Sequence, residues 1–414
     1  MSVNILTVLL FFLGSILIIS IISRPHLGVI ATLVSLPLLD LLPEVPYLSS
    51  IIIPIGGATL VGHLLKRINK SDITLFNFNS VYVIGLFLIG WIFASNPSAS
   101  FFGDTRNWVL TYVQLWILLW LTGELMTSPE IQRVFFWVFS VVSAISSFFA
   151  IQQGQIDYTI SGSVRSAGIS GSPNTAARYF VISLLFFIFL NTYEEKRMLR
   201  LLAIVGAVTT FVGVFFTLSR TGILLLFSGL GIHLILSHRK RNITLTMTVF
   251  LFSALALWFF SDQIVSILQS IFPSIRQGTD TVGLRYEIWR GGLRMWLEHP
   301  IFGVGIGRFP ERIAFYSPGL RYEYITAHNT YINMLAETGI IGFLLFMFLL
   351  LYAFKNFLSC KTSENIDAVS FRNIWLSVFL VILLGSMTKT DHYDKLLWFL
   401  IGISATFCNQ KVTE

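Results

Sequence analysis

Thirteen separate apolar runs constrain this chain more than any other feature. They lie at about 3–22, 27–42, 47–65, 79–95, 107–126, 131–151, 174–191, 199–218, 222–237, 243–260, 334–354, 374–388 and 394–408. Most approach the roughly 20 apolar residues that a helix needs to cross a bilayer. Composition agrees. Of 414 residues, 55% are hydrophobic and 12% are charged, against about 25% charged in a soluble domain. That balance excludes a water-soluble fold, a disordered chain, collagen and a disulfide-built secreted module. The expected fold class is therefore all-α, a polytopic integral membrane protein with about 12–13 transmembrane helices. Pro37, Pro43, Pro46 and Pro54 interrupt the second and third runs, so 12 spans fit as well as 13.

The formal charge of +7 does not indicate nucleic-acid binding, because the basic residues sit between the apolar runs, where they set orientation in the bilayer. Four clusters stand out: Lys66, Arg67 and Lys70; Lys196, Arg197 and Arg200; Arg239, Lys240 and Arg241; Lys355, Lys361 and Arg372. The runs alternate consistently with all four clusters inside. The stretches 96–106, 152–173, 219–221, 261–332 and 389–393 then face outside. Cys360 and Cys408 lie in different segments and specify neither a disulfide framework nor a metal site. Val3 to Ile22 lacks a basic n-region and a small-residue cleavage site, so it is expected to be retained in the membrane.

Only one connection is long, 261–332, which divides the chain into an N-terminal bundle (1–260), a large outer loop (261–332) and C-terminal helices (333–414) of one integrated domain. Connections in helical bundles usually run about 2–8 residues, so a loop of this length is expected to be an ordered, functional cap. Tyr286, Trp289, Leu293 and Trp296 recur at helical spacing within it, predicting an amphipathic helix at the membrane interface that Pro300 ends. Gly303-Val304-Gly305-Ile306-Gly307 follows as a flexible turn.

The loop holds Arg276, Arg285, Arg290, Arg294, Arg308, Arg312 and Arg321 and no lysine. Each could pair with Glu287, Glu298, Glu311 or Glu323. Together they favour an anionic, phosphate-bearing ligand, because a guanidinium grips phosphate through two parallel donors. Arg220, in the tight outer hairpin Leu218-Ser219-Arg220-Thr221-Gly222, either snorkels to headgroups or binds phosphate. Asn174 is either the N-cap of the following helix or a site residue, with Arg178 one turn further in as a second anion contact. His328, with Asn329 and Tyr331 beside it, is either a structural hydrogen-bonding group or a general base toward an acceptor hydroxyl. Asp391 and His392, in the last short outer loop, either support it or are ordinary turn residues. Glu337, at a helix start, reads as structural. No glycine-rich phosphate loop, HExxH or Asp-x-Asp motif is present, so no cofactor or metal is expected.

Taken together, Gly171 to Ala176, Ser219-Arg220-Thr221-Gly222, Arg285 with Trp289, His299 to Gly307, His328-Asn329-Thr330-Tyr331 and Ala336 to Gly342 resemble the O-antigen ligase/polymerase family of bacterial membrane glycosyltransferases. The resemblance covers about 170–355. It implies a GT-C-like, multi-pass enzyme of the bacterial inner membrane whose active site lies on the periplasmic side. Such an enzyme passes a glycan from undecaprenyl diphosphate to an acceptor by inverting, metal-independent chemistry. On this likeness Arg220 and Arg285 hold the diphosphate and His328 activates the acceptor hydroxyl; separately, from their side of the membrane and proximity in sequence, Asn174, Arg178, Arg290, Asn329, Tyr331, Asp391 and His392 are expected to contact the substrates. The partners implied are the lipid-linked glycan, a glycan or lipid A core acceptor and the bilayer, with no nucleic acid. A ligase is the leading reading, a repeat-unit polymerase the alternative, and a lipid-linked glycan transporter a reading from another class.

Overall fold

The computed structural model describes residues 5–41, 52–69, 79–95, 104–161, 166–237, 240–259, 281–318, 325–359 and 366–408. Among these residues the chain forms α1 (Ile5–Ser23), α2 (His26–Val34), α3 (Ile52–Asn69), α4 (Ser80–Ala94), α5 (Asp104–Leu125), α6 (Pro129–Ser161), α7 (Pro173–Tyr193) and α8 (Arg197–Phe216). It continues with α9 (Arg220–Leu236), α10 (Lys240–Phe259), α11 (Thr281–Glu298), α12 (Phe309–Tyr316), α13 (Thr330–Leu358), α14 (Ile366–Gly385) and α15 (Lys395–Cys408). No strand occurs among the described residues. Among the described residues six stretches are long and apolar enough to cross a bilayer: Asn107–Leu125, Pro129–Gln153, Pro173–Tyr193, Arg197–Phe216, Thr330–Leu358 and Asp367–Gly385. Shorter apolar helices accompany them, among them Ser80–Ala94, Arg220–Leu236 and Lys395–Phe407. The chain is an all-α, multi-pass membrane protein.

The prolines act where expected in the second run. Helix α2 stops at Val34 and a 3-10 turn, Leu36–Leu41, replaces its continuation. The Pro37 carbonyl accepts from Ser170 Oγ (3.0 Å). Pro43 and Pro46 lie outside the described residues.

Helix α7 is the central element, buried along almost its whole length and packed against α6, α8, α9 and α14. Beside it, Phe135 and Phe136 of α6, Phe186 of α7, Trp375 of α14 and Phe399 of α15 form an aromatic cluster with ring centroids 4.4–6.4 Å apart. Trp375 keeps its indole N–H satisfied at this depth by donating to Gln132 Oε1 (2.8 Å), as a buried indole requires. At the other end of α7, Arg133 and Trp137 both reach the Glu194 carboxylate.

The glycine run after Pro300 is not the flexible turn its composition predicts. Val304 N donates to Ala336 O (2.9 Å), Gly305 N to Glu337 O (2.9 Å) and Ile340 N to Pro300 O (2.8 Å), so residues 300–305 are clasped to the start of α13. Helix α13 breaks at Gly339, whose φ of 65° and ψ of −171° belong to a region that is essentially glycine-only. A Cβ at Gly339 would strike the Ile301 carbonyl, and one at Gly303 would strike the Glu337 carbonyl. Glycine serves close backbone approach here, not mobility. Gly339→Ala is therefore expected to lower stability by at least about 1–3 kcal/mol, read as the thermal midpoint in detergent. Gly90→Ala, where a Cβ meets open space, serves as the control; equal midpoints for the two variants would refute the clasp.

Candidate active site

Four segments far apart in sequence meet at one end of the bundle: the start of α7, the α8–α9 hairpin, the return of the outer loop at 325–331 and the α14–α15 loop. The hairpin turns through Leu218, whose φ of 44° is left-handed, a conformation that a branched non-glycine residue adopts only under strain from its surroundings. Ser219 caps α9 by accepting from Gly222 N (3.0 Å) and donates its own hydroxyl to Asn174 Oδ1 (2.8 Å). Gly222 lies against Ala177 with no room for a Cβ. The hairpin is thus fastened to the first turn of α7, and Arg220 stands exposed at the N-terminus of α9, where the helix dipole also favours an anion. The N-cap of α7 is Ser172, which accepts from Thr175 N (3.3 Å). Asn174 is not the cap; it bridges the two elements.

The outer loop approaches this end through α11. The helix is present as expected, but its buried stripe is Ile288, Gly291, Gly292 and Met295, while Tyr286 is 63% and Leu293 42% exposed. Gly291 packs on Ile313 and Ser317, and Gly292 on Ile332 and Phe309, so glycine rather than the aromatic stripe sets the contact face. Trp289 turns inward and donates to Ala327 O (2.9 Å), fixing the residue before His328. His328 itself has a φ of 46°, a conformation that histidine tolerates better than most side chains. Its pKa lies below the ordinary value, first because it is largely buried and second because Arg285 places a positive charge nearby. The imidazole is consequently neutral at pH 7. Asn329 caps α13, accepting from Tyr331 N (3.0 Å) and Ile332 N (3.2 Å).

Beneath these loops lies a buried ionic cluster. Arg178, only 2% exposed, pairs with Asp391 (2.5 Å) and Asp394 (2.9 Å), so the anions this guanidinium meets are protein carboxylates. Ser386 Oγ donates to Asp391 (3.1 Å), and Lys389 lies 3.4 Å from both aspartates. Burial alone would raise the Asp394 pKa, but Lys389 and Arg178 hold it below the ordinary carboxylate range. Thr330 ties the outer-loop return to the same cluster: its N–H donates to Ser386 O (2.8 Å) and its hydroxyl to Lys389 O (2.7 Å). Tyr331 adds a bond from its hydroxyl to Leu383 O (3.0 Å).

His392 is fully enclosed, and burial lowers its pKa to about 3, so it is neutral. Asn333 Nδ2 donates to its Nε2 (3.1 Å). This leaves Nδ1–H to donate to the Tyr112 hydroxyl oxygen, whose proton faces Met334 Sδ (3.8 Å). The Glu337 carboxylate accepts from Phe309 N (2.9 Å) and has its other oxygen 4.0 Å from His392. Glu337 therefore links the glycine clasp to this polar chain, in keeping with a structural role.

Arg290 stands apart, exposed on the outward face of α11 with Glu287 at 3.9 Å. Arg294 donates to Tyr316 O (2.9 Å). Arg276 and Arg321 lie outside the described residues. Sequence reasoning missed Asp394, Lys389, Asn333 and Tyr112. The first two had a signal in the charged string Lys389-Thr390-Asp391-His392-Tyr393-Asp394-Lys395; Tyr112, inside an apolar run, had none.

Residues 205–347 match the model of the O-antigen ligase family. This segment is an O-antigen ligase domain. It runs from within α8 to within α13, so the hairpin with Arg220, Arg285, His328 and the glycine clasp all fall inside it. Asn174, Arg178 and the α14–α15 loop lie outside the O-antigen ligase domain and are brought to it by the fold. The function of the chain is accordingly of the O-antigen ligase/polymerase type. No curated protein matches the chain.

Proposed function

We propose that the protein is an O-antigen ligase that transfers a glycan from undecaprenyl diphosphate to an acceptor hydroxyl on lipid A core, at the periplasmic face of the bacterial inner membrane. The observation that carries this reading is the neutral His328 held beside Arg285, since one supplies a base and the other a charge for a departing anion. His328 takes the proton of the acceptor hydroxyl as its oxygen attacks the anomeric carbon from the face opposite the diphosphate. The glycosidic bond to the diphosphate breaks, and the electron pair leaves on the phosphate oxygen. Arg220 and Arg285 stabilise that charge, and the configuration at the anomeric carbon inverts. Asn174 positions the Arg220 hairpin, while Asn329, Tyr331, Asp391 and His392 hold the outer-loop return in place. Arg178 acts as the buried counter-charge of that support. Arg290 meets the glycan or the headgroups from outside.

The test is transfer from purified undecaprenyl-diphosphate glycan in EDTA, with and without lipid A core acceptor. Acceptor-dependent product that falls by about 10²–10³-fold in Arg220→Ala is the expected result. Lengthening of the donor glycan without acceptor would make the protein a repeat-unit polymerase. Tight donor binding with no bond cleavage would make it a transporter.

A further inference from the structure

An elongated apolar groove of about 370 Å³ runs between α2, α3 and α5, a volume within the range of small-ligand sites. Its α5 wall extends from Thr111 to Leu121, about 15 Å of helix rise. Small residues, Gly28, Gly56 and Gly57, open its opposite wall, and at Gly56 and Gly57 an added Cβ meets nothing within 4 Å. One end of the groove is formed by Tyr393, from the loop that carries Asp391, His392 and Asp394, and by Lys395 at the start of α15. Lys395 is the one charged side chain among the residues that line it. The feature is thus an apolar trough with a single cation at one end, and that end adjoins the candidate active site.

We infer that this groove binds the proximal isoprene units of the lipid-linked donor, with Lys395 facing its diphosphate. The inference rests on the donor chemistry proposed above and adds the site that holds the lipid. Charge complementarity selects an apolar chain with an anionic head. Position selects the donor, because an anionic head at Lys395 lies beside the loop that supports the outer-loop return.

Two experiments on the full-length protein in nanodiscs test it. In the first, a photoreactive undecaprenyl diphosphate is crosslinked and the labelled peptides are mapped. Labels on residues 28–32, 52–60 or 111–121 are expected. Labels confined to other helices, or loss of labelling only to added phospholipid and not to excess undecaprenyl diphosphate, would overturn the assignment. This readout is independent of transfer, so a failure of the proposed reaction remains distinguishable from a failure of the groove. In the second, glycan transfer is compared for a long-chain donor and a donor carrying a two-isoprene diphosphate. Gly56→Leu, which fills the groove, is expected to reduce the ratio of long-chain to short-chain kcat/KM by about tenfold. Lys395→Gln is expected to raise KM for both donors. An unchanged ratio in Gly56→Leu would refute the groove as the lipid site.

Discussion

Replacing His328 by asparagine is expected to lower glycan transfer by about 10²–10⁴-fold while the protein stays folded. Asparagine is the informative substitution because the backbone at 328 is left-handed, with a φ of 46°, and asparagine accepts that conformation more readily than alanine does. The variant removes the base without adding backbone strain. A second variant separates catalysis from support. The pKa of His328 is lowered by burial and then by Arg285, and only the neutral imidazole takes a proton. Activity should therefore fall on the acid side as His328 protonates, at a pH below the ordinary histidine value of about 6.5. Removing a positive charge makes protonation easier, so Arg285→Gln should move that acid limb to higher pH as well as slow the reaction. A pH–rate profile checks both. An acid limb at the same pH in Arg285→Gln, or near-normal transfer in a folded His328→Asn, would remove His328 from the chemistry.

The largest effect on stability is expected at Arg178. Its guanidinium is enclosed and serves two aspartates at 2.5 and 2.9 Å. Removing one member of a buried ionic cluster leaves the others charged and unsolvated, at a cost of about 3–5 kcal/mol. Arg178→Ala should lower the thermal midpoint in detergent accordingly. Arg178→Lys should recover only part of the loss, because an ammonium cannot present two separated donors to Asp391 and Asp394 as a planar fork does. Neutralising both carboxylates in the Arg178→Ala background, with Asp391→Asn and Asp394→Asn, should also recover part, since the uncompensated charge is then gone. A midpoint unaffected by Arg178→Ala would show that Lys389 alone balances the two carboxylates.

The fold class and two polar segments were legible in the sequence for different reasons. Apolar runs such as 174–191 and 334–354 specify helices by length alone, because a spanning segment has no other way to satisfy its backbone. Ser219-Arg220-Thr221-Gly222 and the residues around His328 were legible as polar islands in apolar sequence. The contact face of α11 was not. Its aromatic stripe invited one assignment, and Gly291 and Gly292 made another, because close helix approach depends on the absence of a side chain, which hydropathy does not register. The glycine run at 303–307 reads differently in sequence and in structure for a related reason: glycine marks both mobility and tight backbone contact, and only its partners at residues 336–340 of α13 distinguish them.

Hydrophobic length, the distribution of Lys and Arg, and the ordered motif series are properties of the chain, and they determined an all-α membrane protein that resembles the O-antigen ligase/polymerase family over part of its length. What only tertiary structure decided is which charges oppose one another. Arg178 and Asp391 are 213 residues apart, Tyr112 and His392 are 280 apart, and in hydrocarbon each such group must find its partner inside the protein. Sequence carries the need for a partner; packing of α7 against α14 and of α5 against α15 chooses it.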